Sequence, residues 1–387
     1  MHRRHDIDAL RALAFALVIL YHVGMYYVAG WHWHLKSPDA VEWLQWPMRA
    51  LNLWRMDLVF LVSGLALGFL LRRQGRGGLL RLRSLRLLLP LAFGMAVVVP
   101  FQPYAQAVAN GSVAPGFGDF LARYYTGGPW PADAFDGAHV GVTWNHLWYL
   151  AYLWVYTAVL LLLLPVLQSG AGLRLRERFL ALRGWRLAVL PVLPLTLATL
   201  LLWPHFPPTH DLIGDAWLHA VYFTLFLYGF WIGVDEGWWR EATRLRWPMT
   251  AVAIAALAVY FAVRALPLRP NFAARLLADF YLWSTVLCVL GWAHRLLDRP
   301  WPWLAWANEQ VYPWYVLHQT VIIVLVTWLA PLKLSAALEA PLLVAGTIAG
   351  CWILTALIRR SAWLRPLFGL KPPARPRCPS PASPAHP

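Results

Sequence analysis

The sequence predicts an all-α polytopic membrane bundle of about ten transmembrane helices with both termini in the cytoplasm. Three observations predict it. Hydrophobic residues make up 60% of the 387 and charged residues only 13%, against roughly 25% charged in soluble domains. Apolar runs recur at about the 20 residues that cross a bilayer. Basic residues collect in the short connections on one side of those runs, as the positive-inside rule requires.

Hydropathy places the spans near 9–29, 54–72, 87–104, 147–167, 186–203, 215–234, 248–265, 276–293, 310–330 and 339–358. The first follows Arg3-Arg4 but lacks a small-residue cleavage site and runs into an aromatic stretch, so it reads as a retained helix rather than a signal peptide. Of the 33 Lys and Arg, 24 fall on one set of connections and the tail, 8 on the opposite set, and Arg11 inside the first helix. That asymmetry and the even number of spans put both ends in the cytoplasm. The net charge of +15 therefore reads as topogenic, and nucleic-acid binding is excluded for want of a basic domain with a groove-facing surface. The 25 tryptophans suit interfacial belts. Cys288, Cys351 and Cys378 have no metal-ligand spacing, so no metal site is expected.

One membrane domain is expected over residues 1–365. Its connection 105–146, rich in Gly, Pro, Asp and aromatics, reads as an external loop able to cover the outer mouth. Residues 366–387 read as a disordered tail, Lys371 to Pro387 holding seven prolines in 17 residues.

Polar groups inside a membrane are costly, so each is a candidate for function. Arg11 and His22 are 11 positions apart, about 20° beyond three turns, so they share a helix face about 16 Å apart along the axis. His22 is open to two readings, a hydrogen bond to a neighbouring helix or a catalytic imidazole past the midplane. Asp57 enters the second span at a similar depth. It reads either as the carboxylate that orients His22 or as the partner of Arg55 at the interface. Ser63-Gly64 reads as a close helix approach. Arg72 with Arg76, and Arg83 with Arg86, share helix faces beside Gly75, Gly77 and Gly78; paired guanidiniums suit a polyphosphate, and equally topogenic charge on anionic lipid. His146 and Trp148 open the fourth span from outside, as substrate contacts or interfacial anchors. Tyr315 and His318 face together in the ninth, where a core histidine is the alternative to a substrate contact.

Together these residues resemble the acyltransferase family 3 membrane proteins. The resemblance rests on Asp8-Ala-Leu-Arg11 with a ten-residue gap to His22, on Asp57-Leu-Val-Phe-Leu-Val-Ser-Gly64 and on Arg83-Ser-Leu-Arg86. His146-Leu-Trp148-Tyr-Leu and Tyr312-Pro-Trp-Tyr315-Val-Leu-His318-Gln extend it, and these two look closest to the branch that succinylates periplasmic glucans. It spans about residues 5–360. The second-helix motif departs from the paired phenylalanines of many members, and no hydrolase-like domain is expected after the last span.

The resemblance implies a multi-pass protein of the bacterial inner membrane that moves an acetyl or succinyl group from cytoplasmic acyl-CoA to a hydroxyl of a glycan or related polyol. Acyl-CoA would be a co-substrate, with no tightly bound cofactor; the partners would be that thioester, a carbohydrate acceptor and membrane lipids. By the same implication His22 is the catalytic residue and Arg11, Arg83 and Arg86 meet the CoA phosphates; from the residues alone His22 reads as a base with Asp57 as its helper, acylation of His22 itself being the alternative. Thioester-to-alcohol transfer does need a base titrating near neutrality, which suits histidine. The rival class is a transporter or flippase using the same polar residues as a proton relay or cargo site.

Overall fold

The computed structural model describes residues 4–267 and 271–372. Arg3, Arg269 and the stretch 373–387 of the expected tail lie outside the described residues. Among those described there is no β-strand, only an isolated bridge between Val28 and Val41.

The helices are α1 (His5–Tyr27), α2 (Gln45–Asn52), α3 (Arg55–Phe93), α4 (Phe101–Ala109), α5 (Phe117–Tyr125), α6 (Trp148–Leu167), α7 (Gly170–Leu180), α8 (Trp185–Val189), α9 (Leu193–Leu202), α10 (Ala216–Ile232), α11 (Glu236–Arg264), α12 (Phe272–Leu297), α13 (Leu304–Leu329), α14 (Ala336–Arg360) and α15 (Leu364–Leu367). Eight helical stretches among the described residues are long and apolar enough to cross a membrane, and α10 is a shorter apolar helix beside them.

One of the eight, 45–98, makes two crossings. Gly75 breaks α3 with φ 67° and ψ 176°, a left-handed backbone that favours glycine. Before the break Ser63 Oγ lies 2.5 Å from Tyr149 Oη, near the start of α6; after it Arg76 donates to Gln168 past the end of α6, and Gly94 packs back against Leu147. The chain thus runs down α6 and returns. Counting 45–98 twice and adding α10 gives ten apolar segments, the number that hydropathy counts. The arginine-rich ends also meet on one face. Arg4 caps the Trp239 ring at 4.2 Å, His5 N donates to Asp298 Oδ1 at 3.0 Å, and Arg359 pairs with Glu309 at 3.1 Å.

The first half of α3 is pressed against α10 through reciprocal glycines. A Cβ on Gly64 would overlap the Phe226 carbonyl, and one on Gly229 the Leu61 carbonyl. This is the close approach that Ser63-Gly64 leads one to expect, and it lets dispersion between backbones replace the hydrophobic drive that lipid removes.

The connection 105–146, expected to be external, is built rather than loose. Phe120, Tyr124, Ala134 and Phe135 form their own buried cluster with Ala107, and residues 136–146 lie along the outer cavity described below. At the other end the tail begins later than 366. Phe368 and Leu370 are buried, Phe368 packing edge-on to Phe93 at 5.3 Å. The membrane domain therefore runs through at least Leu370: two apolar side chains after α15 gain burial that composition alone, dominated by the following prolines, did not reveal.

Candidate functional site

The half of the bundle that carries the 105–146 connection, expected to be the outer one, holds a cavity of ≈ 890 Å³. Its walls come from α1, the segment after it, the start of α3, the 136–146 connection, the 208–211 loop, α10 and α12. His22, Asp57, His146 and Trp148 all line it.

His22 is half-buried, and backbone and a second ring fix its orientation. His22 Nδ1 lies 2.9 Å from Val18 O and 3.1 Å from His318 Nε2. His318 Nδ1 in turn lies 3.0 Å from Trp314 O and 2.8 Å from Tyr315 O. Carbonyls only accept, so His318 carries its proton on Nδ1 and, when neutral, offers Nε2 as an acceptor. His22 then donates from Nδ1 to Val18 O and His318, which leaves its Nε2 as the basic nitrogen. No described residue hydrogen-bonds that Nε2.

This arrangement replaces the expected orienting carboxylate. No hydrogen bond joins Asp57 to His22, and Asp57 Oδ1 has no hydrogen-bond partner among the described residues. Nor does Asp57 form an ion pair with Arg55, whose guanidinium lies instead over the Tyr21 ring at 3.5 Å. Residues two apart on a helix do not face each other, and the carbonyl of Val18, one turn before His22, was already in place to take the imidazole proton.

The other expected substrate contacts divide. His146 lines the cavity and is held through Nε2 at 3.1 Å from Val316 O. Trp148 lines it too, its ring nearly parallel to Tyr222 at 6.0 Å. Tyr315 and His318 lie behind the wall, fully buried. Tyr315 spends its hydroxyl on His146 O at 2.5 Å and so braces the start of α6. His318 packs between His22 and His146, 5.0 Å from each ring.

A belt of uncharged polar side chains, most of them missed in the sequence, holds the cavity's upper wall. Gln319 donates to Gln102 Oε1 at 3.0 Å and lies 2.8 Å from His34 Nε2, while His34 Nδ1 meets Gln106 Oε1 at 2.7 Å. Asn145 donates to Gln102 Oε1 at 2.9 Å. Burial, its largest influence, holds His34 below its ordinary pKa of 6.5. Four buried amide and imidazole groups that satisfy one another act as a rigid frame. The sequence signal was available: Gln102, Gln106 and Gln319 are amides at the edges of apolar runs, where a polar group needs a partner.

The three arginines lie at the other end. Arg11, Arg86, Tyr149 and Tyr312 are all electrostatic neighbours of Arg83. Arg11 donates to Asn308 Oδ1, at 2.5 Å from Nη2, whereas buried Arg83 Nε has no partner. None of the three lines the outer cavity. Between them and His22 stands an aromatic trio: Phe15 meets Tyr315 at 5.4 Å and Tyr149 at 6.3 Å, and the two tyrosines meet at 5.9 Å. Phe15 is four residues after Arg11 and seven before His22, on the same face of α1.

A family model described as an acyltransferase domain matches residues 4–356. No curated protein and no solved structure matches the chain.

Proposed function

The chain belongs to that membrane acyltransferase family, and from this premise we propose that it transfers an acyl group, acetyl or succinyl, from acyl-CoA on the cytoplasmic side to a hydroxyl of a glycan or related polyol held in the outer cavity, within a bacterial inner membrane. The observation that carries the proposal is how His22 is held: Nδ1 lies within hydrogen-bond reach of Val18 O and His318 Nε2, and the half-buried ring lines a cavity of ≈ 890 Å³.

In this reading His22 Nε2 takes the proton of the acceptor hydroxyl as its oxygen attacks the thioester carbonyl. The C–S bond of the tetrahedral intermediate then breaks, and the proton passes from the imidazolium to the departing CoA thiolate. The imidazolium is stabilised where it forms, because its Nδ1–H already points at Val18 O. Arg11, Arg83 and Arg86 would take the phosphates of CoA, Arg83 offering a buried N–H with no other partner. The pantetheine arm would cross the roughly 16 Å from Arg11 to His22 by displacing the Phe15–Tyr149–Tyr315 rings.

Purified protein given labelled acyl-CoA and an envelope carbohydrate fraction should yield labelled, base-labile ester. His22→Ala should lose that product while unfolding at the same temperature as the parent. Turnover retained in a folded His22→Ala protein would reject the proposal.

A further inference from the structure

Apart from His22, the outer cavity contains a second polar cluster. Arg55, Asp57 and Asp279 are all buried side chains at its wall, 6%, 5% and 3% exposed. Arg55 Nε and Nη1, Asp57 Oδ1 and Asp279 Oδ2 have no hydrogen-bond partner among the described residues. Asp57 and Asp279 are electrostatic neighbours although they come from α3 and α12. Leaving buried donors and acceptors unpaired costs free energy, and these four atoms belong to three residues that line one cavity.

The surroundings restrict what could pair with them. Trp217, from α10, and Trp148 line the same cavity. Arg275 braces Trp217, 5.2 Å from its ring centre, and the Trp217 indole donates to Thr199 at 3.0 Å, so this aromatic wall is held in place. Four carboxylates, Asp57, Asp136, Asp211 and Asp279, line the cavity against two guanidiniums, Arg55 and Arg275.

We infer that Arg55, Asp57 and Asp279 form the acceptor subsite and that it takes an uncharged polyhydroxylated ring. This deepens the proposed transferase reading and rests on it for the word acceptor. Sugar hydroxyls both donate and accept, so one ring can give protons to Asp57 and Asp279 while taking one from Arg55. Its C–H face suits the indole wall. An anionic sugar would meet an excess of carboxylates, and a cationic one would set a second positive charge beside the buried Arg55 guanidinium. Asp57 thereby acts on the acceptor rather than on the tautomer of His22.

The test reads binding alone, without acyl-CoA, so it stands whether or not transfer is observed. The full-length protein in detergent is titrated calorimetrically with pooled neutral oligosaccharides of glucose, galactose and mannose, with the matching uronic-acid pool, and with the matching amino-sugar pool. The neutral pool should bind at least tenfold more tightly than either charged pool. Asp279→Asn should weaken it about tenfold, the scale of one hydrogen bond to a charged group, and Trp217→Leu should weaken it with every charge kept. Both variants are compared at matched unfolding temperature. No binding of the neutral pool, a preference for either charged pool, or unchanged affinity in both variants would overturn the inference. Loss of transfer activity in a wild-type protein that still binds the neutral pool would instead count against the transferase reading.

Discussion

His318→Leu separates a residue that performs the chemistry from one that positions it. The substitution keeps an apolar side chain of similar reach between the rings but removes the Nε2 acceptor 3.1 Å from His22 Nδ1. Val18 O, at 2.9 Å, still accepts the Nδ1 proton, so the tautomer loses one of two supports. A neutral hydrogen bond contributes about 0.5–1.5 kcal/mol net, which at 1.36 kcal/mol per decade is about a 2- to 13-fold fall in kcat. Removing the base itself should cost roughly 10²–10⁴-fold. Steady-state transfer of labelled acyl groups, measured for His318→Leu, His318→Gln and His22→Ala, reads the difference. Glutamine can restore an acceptor through Oε1 and should recover part of the loss, with the KM for acyl-CoA unchanged throughout. A folded His318→Leu protein as inactive as His22→Ala would refute the reasoning, because His318 would then be acting on substrate. Unchanged kcat would refute it from the other side.

Other outcomes follow from the same geometry. Arg83→Ala should weaken the thermal stabilisation by acyl-CoA roughly tenfold or more in ligand concentration, the scale of a lost charge-assisted hydrogen bond; an unshifted titration would remove Arg83 from the donor site. Gly64→Ala and Gly229→Ala each drive a Cβ into a backbone carbonyl of the facing helix. Each should cost about 1–3 kcal/mol or more, read as a lower unfolding temperature; wild-type stability in both would contradict the close approach. His34 is held neutral by burial, so below its ordinary pKa of 6.5 the unfolded chain takes up a proton that the folded loop resists. Its contribution is therefore full above that value and lost as pH falls through and below it. The drop in unfolding temperature from pH 7.5 to 5.5 should be smaller in His34→Gln, and an equal drop would exclude His34 as a source of it.

The bundle was legible because a bilayer imposes one rule on every segment: about 20 apolar residues, with arginines on one side. The ten apolar segments, the reversal near Gly75 and the Ser63-Gly64 contact all come from local patterns. The site was legible residue by residue but not as an assembly. His22 and His318 were each visible, yet they are 296 positions apart, and only the packing of α13 on α1 makes one the orienting partner of the other. Asp57 shows the opposite error. A carboxylate at the depth of an imidazole suggested a pair, but depth along the membrane does not fix azimuth, and the ring had already found a carbonyl on its own helix. Gln102, Gln106, Gln319 and His34 went unread because amides do not interrupt hydropathy as charges do. The order of residues 366–370 was hidden for a similar reason: two buried apolar residues carry little weight beside seven prolines.

Sidedness offers the most direct measurement. In oriented proteoliposomes, labelled acyl-CoA is sealed in the compartment facing the arginine cluster, and the neutral oligosaccharide pool is supplied only on the cavity side. Labelled ester should accumulate on the cavity side, and His22→Ala vesicles should give none. Product that forms only when both substrates share one compartment would contradict a site reached from opposite faces of the membrane.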